Sequence, residues 1–306
     1  MDRVRRSPLI LVAAVVFFTS TYAIGATPPK VDRPSILLVT IDTLRADHLP
    51  FYGYTRDTAP FLSTLAGAST TYANAYSTSS WTVPAVASMV TGVYPHSHGA
   101  IHGFVKEGEV ARQEALPSSL PVLAESLQQL GYRTFGVVAN LHLDRQFGFA
   151  RGFDRFRCLG FTSADRVNAA ALQWREQLDV TRGPVFLWLH YFDPHHQYHD
   201  RQPFFDAFKP PSAERIARIR KTTFEEIVAK WMKTPDPSVA PLVRSHYDSE
   251  IRYVDQHLQS LFHELPFLDR CFAVFTSDHG EEFLDHGTTG HGLNLYNETV
   301  RVPLVV

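Results

Sequence analysis

Cysteine is scarce: Cys158 and Cys271 are the only two among 306 residues, and neither sits in a CxxC or zinc-finger spacing. A thiolate-held metal is therefore excluded. In an oxidising compartment the two could pair, but Cys271 opens the apolar run CFAVFTSD, which reads as a central strand, so its expected role is that of a small buried hydrophobe. An excess of either charge is also lacking. Lys and Arg total 29 against 31 Asp and Glu, a formal net charge of −2, which gives no reason to expect nucleic acid or an anionic membrane surface as a partner. Internal repeats and low-complexity tracts are missing too.

What is present is an ordinary globular balance, 44% hydrophobic and 20% charged, sufficient for one sizeable core with room for a small second lobe. Residues 1–26 read as a secretory signal. Asp2 to Arg6 is a basic n-region, Pro8 to Phe18 an apolar h-region too short for a bilayer span, and Tyr22 to Ala26 offers small residues for cleavage. No lipobox cysteine follows, so a periplasmic or secreted protein with no stable membrane span is expected. Residues 27–34 read as a leader, and 35–306 as one domain.

Within that domain apolar runs alternate with helical patterns. Ser35–Ile41, Thr134–Ala139, Val185–Tyr191 and Phe272–Thr276 read as strands buried on both faces. Thr58–Ala68, Leu120–Leu130, Arg166–Asp179 and His246–Leu261 read as helices, the last with Ile251, Val254, Leu258 and Leu261 on its apolar face. Gln202–Pro241, rich in proline and charge, reads as an excursion rather than core. The alternation predicts an α/β fold with a mainly parallel central sheet and helices on both faces. In such sheets ligands sit beyond the carboxyl ends of the strands. Asp42, the group from Asp193 to His196, and the pair Asp278-His279 each follow an apolar strand directly, so three strand ends are expected to converge.

A fourth contributor is the stretch Ser77–Gly99, STSSWTVPAVASMVTGVYPHSHG. A hydroxyl-rich loop meets an apolar helix there, and the free N–H groups and macrodipole of that helix start favour negative charge. Thr82 is placed as a nucleophile, although Ser and Thr before a helix are more often plain caps. Carboxylates with imidazole and no thiolate suit a divalent cation, Ca²⁺ or Mg²⁺ by the acids, Mn²⁺ or Zn²⁺ by the histidines. Held by Asp42, Asp278 and His279, it would polarise an ester oxyanion and lower the pKa of the Thr82 hydroxyl.

Five ordered blocks carry a resemblance. They are ILLVTIDTLRADHL (36–49), PAVASMVTGVYPHSHG (84–99), LHYFDPHHQY (189–198), YDSEIRYVDQHL (247–258), and TSDHGEEFLDHG with GHG and LYNETVRVPL (276–304). Together they resemble the sulfatases of the alkaline-phosphatase superfamily. The resemblance implies that Asp42, Thr82, Asp278 and His279 are metal ligands, with Thr43 where the family has a second acid. It implies that His195 contacts the scissile ester and protonates a leaving group. His291 falls where many sulfatases have a sulfate-binding lysine and would assist there or complete a second metal site, and His98 would face the pocket or hold its loop. The substrate implied is a small-molecule or glycan ester. Family members usually continue into more sheet and a smaller C-terminal subdomain, whereas this chain stops at Val306.

The departures set the chemistry. The family motif, Cys or Ser, any residue, Pro, any residue, Arg, reads here Thr82-Val83-Pro84-Ala85-Val86. Threonine has no route to formylglycine, so a metal-activated alkoxide, with phosphothreonine as intermediate, is the expected replacement, and phosphate or phosphonate esters are favoured over sulfate esters on chemical grounds. Two other readings stay open. One is a transferase moving phosphoethanolamine or phosphoglycerol, whose relatives usually carry several membrane spans. The other is an inactive glycan-binding protein, motivated by Thr82 and Val86.

Overall fold

The computed structural model describes residues 33–103, 105–107, 110–112, 114–210, 213 and 223–306. The signal-peptide reading and all of the leader but Arg33 and Pro34 lie outside them. The strands of the main sheet are β1 (Ile36–Ile41), β2 (Arg133–Val138), β3 (Arg155–Cys158), β4 (Val185–Tyr191), β5 (Phe272–Ser277) and β6 (Leu304–Val305). Their spatial order is β6-β5-β1-β4-β2-β3, all parallel except β6, which runs antiparallel along β5. The tail at Val302–Val306 thus adds an edge strand.

The continuous apolar runs are explained by two cores. Leu37, Val39 and Ile41 face one side with Leu187, Leu189 and Tyr191; there they meet α1 (Pro60–Gly67), α4 (Ala164–Leu172) and α5 (Ala240–Glu264). Leu38, Val138, Phe186 and Trp188 face the other, against α2 (Thr82–Thr91) and α3 (Leu123–Gln129). A strand covered on both faces needs apolar residues at every position, which erases the two-residue alternation.

In the described residues of the segment from Gln202 to Pro241, the chain is not the expected excursion. Phe205, Ile227, Val228, Trp231 and Ala240 are buried in the first core. Helix Phe224–Trp231 is amphipathic, with Thr223 capping the Glu226 amide and with Glu226 and Lys230 exposed opposite buried Ile227 and Val228. Strand β3 carries no apolar run of its own and was not foreseen. Both cysteines are free thiols, half-buried at the edges of the cores.

Helix α5 fixes the loops that follow β1 through buried polar groups. The Tyr247 hydroxyl donates to the Thr43 carbonyl at 2.7 Å and accepts the Arg45 N–H at 2.7 Å. Asp248 lies 2.7 Å from His48 Nδ1 and accepts from Tyr54 and Arg56 at 2.8 Å each. Asp255 caps α1 from a distance, accepting the Phe61 and Leu62 amides at 2.9 and 2.8 Å. Burial pushes the Asp255 carboxyl up to about 6 despite those donors. A carboxyl raised on folding contributes stability that is complete below its unfolded pKa, near 4, and is lost as the pH rises through about 6. Over that window the wild type is expected to lose up to about 3 kcal/mol relative to Asp255→Asn, which cannot titrate. Urea midpoints of the two proteins across the window check this.

Candidate active site

The carboxyl ends of β1, β4 and β5 are adjacent, so the residues that follow them meet. Asp42 and Asp278 are fully buried. His279 Nε2 lies 3.5 Å from Asp42 Oδ1 and 3.5 Å from Asp278 Oδ2. Its Nδ1 is 2.9 Å from the Gly280 carbonyl, which can only accept, so Nδ1 carries the proton and the Nε2 lone pair faces the carboxylates. Thr82, the first residue of α2, lies with its Oγ1 3.2 Å from that same Nε2 and donates to it. Thr43, at φ 55, holds a β-branched side chain in the left-handed region, a strain of about 1–3 kcal/mol sustained by the Tyr247 contacts.

Two oxygens decide what this group can bind. Asp42 Oδ1 and Asp278 Oδ2 are buried and without a hydrogen-bond partner among the described residues. Burial and the neighbouring Asp42 charge together push the Asp278 carboxyl upward. Orphaned carboxylate oxygens facing an imidazole lone pair fit a divalent cation, whose charge would offset both penalties.

Two further ligand-type residues stand in this group that the sequence reading did not single out. The Asn140 side-chain amide donates to Asp42 Oδ2 at 2.9 Å, and His190 Nε2 lies 3.5 Å from the same oxygen. Asn140 follows strand β2, so the rule that found Asp42 and Asp278 could have found it. His190 is an imidazole inside the apolar run VFLWLHY, and its Nδ1 rests 2.8 Å from Thr40 Oγ1.

A cavity of about 870 Å³ opens in front of Thr82, with Asn140, His195, Arg201 and His291 in its wall and Trp81, Phe161 and Phe192 forming an aromatic side. The rings of His195 and His291 are 4.9 Å apart, and those of His279 and His291 4.5 Å. The pKa values of the two histidines are shifted in opposite directions. Burial drives His195 down to about 3, so it is neutral, and its Nδ1 bonds the His196 carbonyl. Burial also opposes charge on His291, but the Glu281 carboxylate, 2.9 Å from its Nδ1, overrides that and raises its pKa. Glu281, also missed in the sequence, is fully buried and accepts from the Tyr198 hydroxyl at 3.2 Å. Gly280 allows the turn that carries it: a Cβ there would lie 1.9 Å from the Glu298 carbonyl.

His98 is not in the cavity wall. Its Nδ1 accepts the Ala100 amide at 3.1 Å and its Nε2 donates to Ser88 Oγ at 3.1 Å, which is the loop-holding alternative. Asp193 pairs with Arg201, which also meets Glu250 at 2.6 Å. Among the described residues no helix is long and apolar enough to cross a membrane.

The comparisons with known proteins agree with this architecture. An ulvan-active sulfatase from Formosa agariphila is 38% identical over 106 residues, 33% of this chain but only 18% of that protein. The multifunctional alkaline phosphatase superfamily protein PehA of Trinickia caryophylli is 24% identical over 355 aligned positions, covering 90% of this chain and 68% of its own. Among solved structures, a phosphonate monoester hydrolase of Agrobacterium radiobacter superposes with a TM-score of 0.67 at 19% identity, over 89% of this chain and 68% of that one. The Sulfatase family model matches residues 34–306, and with the parallel sheet and its converging strand ends this places the chain in the sulfatase family.

Proposed function

We propose that the chain is an exported, divalent-cation-dependent hydrolase of phosphate or phosphonate esters, with Thr82 as the nucleophile. The observation that carries this is the position of Thr82 Oγ1, at a helix start, 3.2 Å from His279 Nε2 and beside the orphaned oxygens of Asp42 and Asp278. Asp42, Asp278 and His279, with Thr82 itself, would hold the cation. Once bound, it would supply a Lewis acid that lowers the hydroxyl pKa and neutralises charge on the ester oxygens. The names of two relatives, an alkaline phosphatase superfamily protein and a phosphonate monoester hydrolase, support phosphorus esters as substrates. The basic and apolar N-terminus supports export.

In this reading Thr82 Oγ1 forms a bond to phosphorus as the bond from phosphorus to the leaving oxygen breaks, and water later cleaves the phosphothreonine. The leaving oxygen takes its proton from His291, whose pKa Glu281 raises; neutral His195, its Nδ1 proton held by the His196 carbonyl, offers its Nε2 lone pair to the water that later attacks. Phe161, Phe192 and Trp81 give the leaving group an apolar wall.

The test is turnover of nitrophenyl sulfate, phosphate, phosphonate and bis-phosphodiester by the mature protein loaded in turn with Ca²⁺, Mg²⁺, Mn²⁺ and Zn²⁺. Phospho-ester turnover is expected; turnover of the sulfate alone would overturn the substrate assignment. Glu281→Gln adds a pH test. Removing that carboxylate lowers the His291 pKa, so the proton donor is lost at lower pH, and the alkaline limb of the kcat profile is expected to move towards acid. An unmoved limb would take the donor role away from His291.

A further inference from the structure

A second group of ligand-type side chains follows Glu281 in the sequence EFLDHG. Glu282 is buried in the short ladder that pairs Glu282–Phe283 with Thr289–Gly290. Its Oε2 accepts the His286 N–H at 3.2 Å and the Thr288 hydroxyl at 3.4 Å. Its Oε1 is buried with no hydrogen-bond partner among the described residues. His286 Nε2 lies 2.9 Å from Glu298 Oε2, and the Tyr296 ring stacks on the imidazole at 3.6 Å between centroids. One ligand atom from each of Glu282, His286 and Glu298 lies within 4.8 Å of the other two.

We propose that Glu282, His286 and Glu298 form a second divalent-cation site, separate from Asp42, Asp278 and His279. The donor set of one imidazole nitrogen and two carboxylates suits a borderline transition ion, Zn²⁺ before Ca²⁺. A cation there gives the orphaned Glu282 Oε1 a partner and takes the place of the proton shared by His286 and Glu298. His286 and Glu298 are partly exposed, which leaves an entry path and positions for water. The site would also tie down the turn that bears the first group. The Gly280 and Glu281 amides donate to the Thr299 and Glu298 carbonyls at 2.8 and 2.9 Å. Linking Glu298 to Glu282 therefore closes the segment between them, which carries His291, beside the turn that follows Asp278 and His279.

The experiment uses the full chain, stripped with a chelator, titrated with Zn²⁺, and freed of unbound ion before the bound metal is counted. It is done in the background Asp42→Asn with Asp278→Asn, which lacks the first group, and needs no hydrolysis, so it stands whether or not the proposed function does. Zn²⁺ is expected to bind this double variant and to raise its melting temperature. His286→Gln and Glu298→Gln, each added to it, are expected to remove one equivalent of bound Zn²⁺ and abolish that rise. If both additions leave the bound equivalents unchanged, His286 and Glu298 are only hydrogen-bond partners and the site is refuted. The same holds if the equivalent disappears with His291→Ala instead. Glu298→Gln, on the exposed rim, decides the matter should His286→Gln fold poorly.

Discussion

Replacing Thr82 by alanine is expected to lower kcat for a phospho-ester by about a thousandfold or more, with the fold and the bound cation retained. The side chain is small and stands at a helix start, so alanine keeps the helix and removes only one buried methyl and the hydroxyl. What is lost is the only hydroxyl placed beside His279 Nε2 among the described residues. Thr82→Ser keeps that oxygen and is expected to retain turnover within about tenfold, since its extra rotamer freedom costs roughly 1 kcal/mol of positioning. Steady-state kinetics with metal content measured on the same samples separates the outcomes. Full turnover in Thr82→Ala would mean that a water, not the threonine, attacks.

Asp278→Asn carries the second large effect, and it has opposite signs for activity and stability. Turnover should fall to background, because one of the two buried carboxylates that would hold the cation is gone. The metal-free variant should nevertheless be more stable than the metal-free wild type, by about 1–3 kcal/mol, because a buried charge facing Asp42 is removed while the amide keeps the acceptor that serves Thr43 and His279. Burial and Asp42 raise the Asp278 pKa on folding, so the wild type's disadvantage is absent below the unfolded carboxylate pKa and grows as the pH rises through the folded one. Thermal melts with chelator at acid and neutral pH, and again with cation, test this. A variant that melts lower than the wild type under chelator at neutral pH would show that Asp278 is structural rather than poised for an ion.

The residues that read well from sequence share a physical reason. A strand covered on both faces is a run of apolar residues that stops where the sheet stops, so Asp42 and Asp278 mark their own positions at strand ends. The nucleophile candidate is legible the same way, as a hydroxyl where a polar loop turns into an apolar helix. His190, Asn140 and Glu281 were less legible because each becomes part of the site only through a partner 98 to 150 residues away or across a turn. His190 looks like one polar residue in a core strand until β4 pairs with β1 and brings Thr40 and Asp42 beside it. Asn140 needs the crossing from β2 to β1 to find Asp42. Helix Phe224–Trp231 misled because composition records that it carries charges such as Glu226 and Lys230, not which face they occupy.

Sequence by itself determined the class of fold and the acids, imidazoles and hydroxyl available to it, because burial on two faces and helix periodicity are local demands that each segment must meet alone. Tertiary structure decided which of those groups meet. The order β5-β1-β4 sets Asp278, Asp42 and His190 side by side from chain positions far apart, and the turn at Gly280 aims Glu281 at His291 and Glu282 away into its own cluster. Charge followed from that placement: the same burial lowers the pKa of His195, while that of His291 is raised because only one of them faces a carboxylate at hydrogen-bond distance.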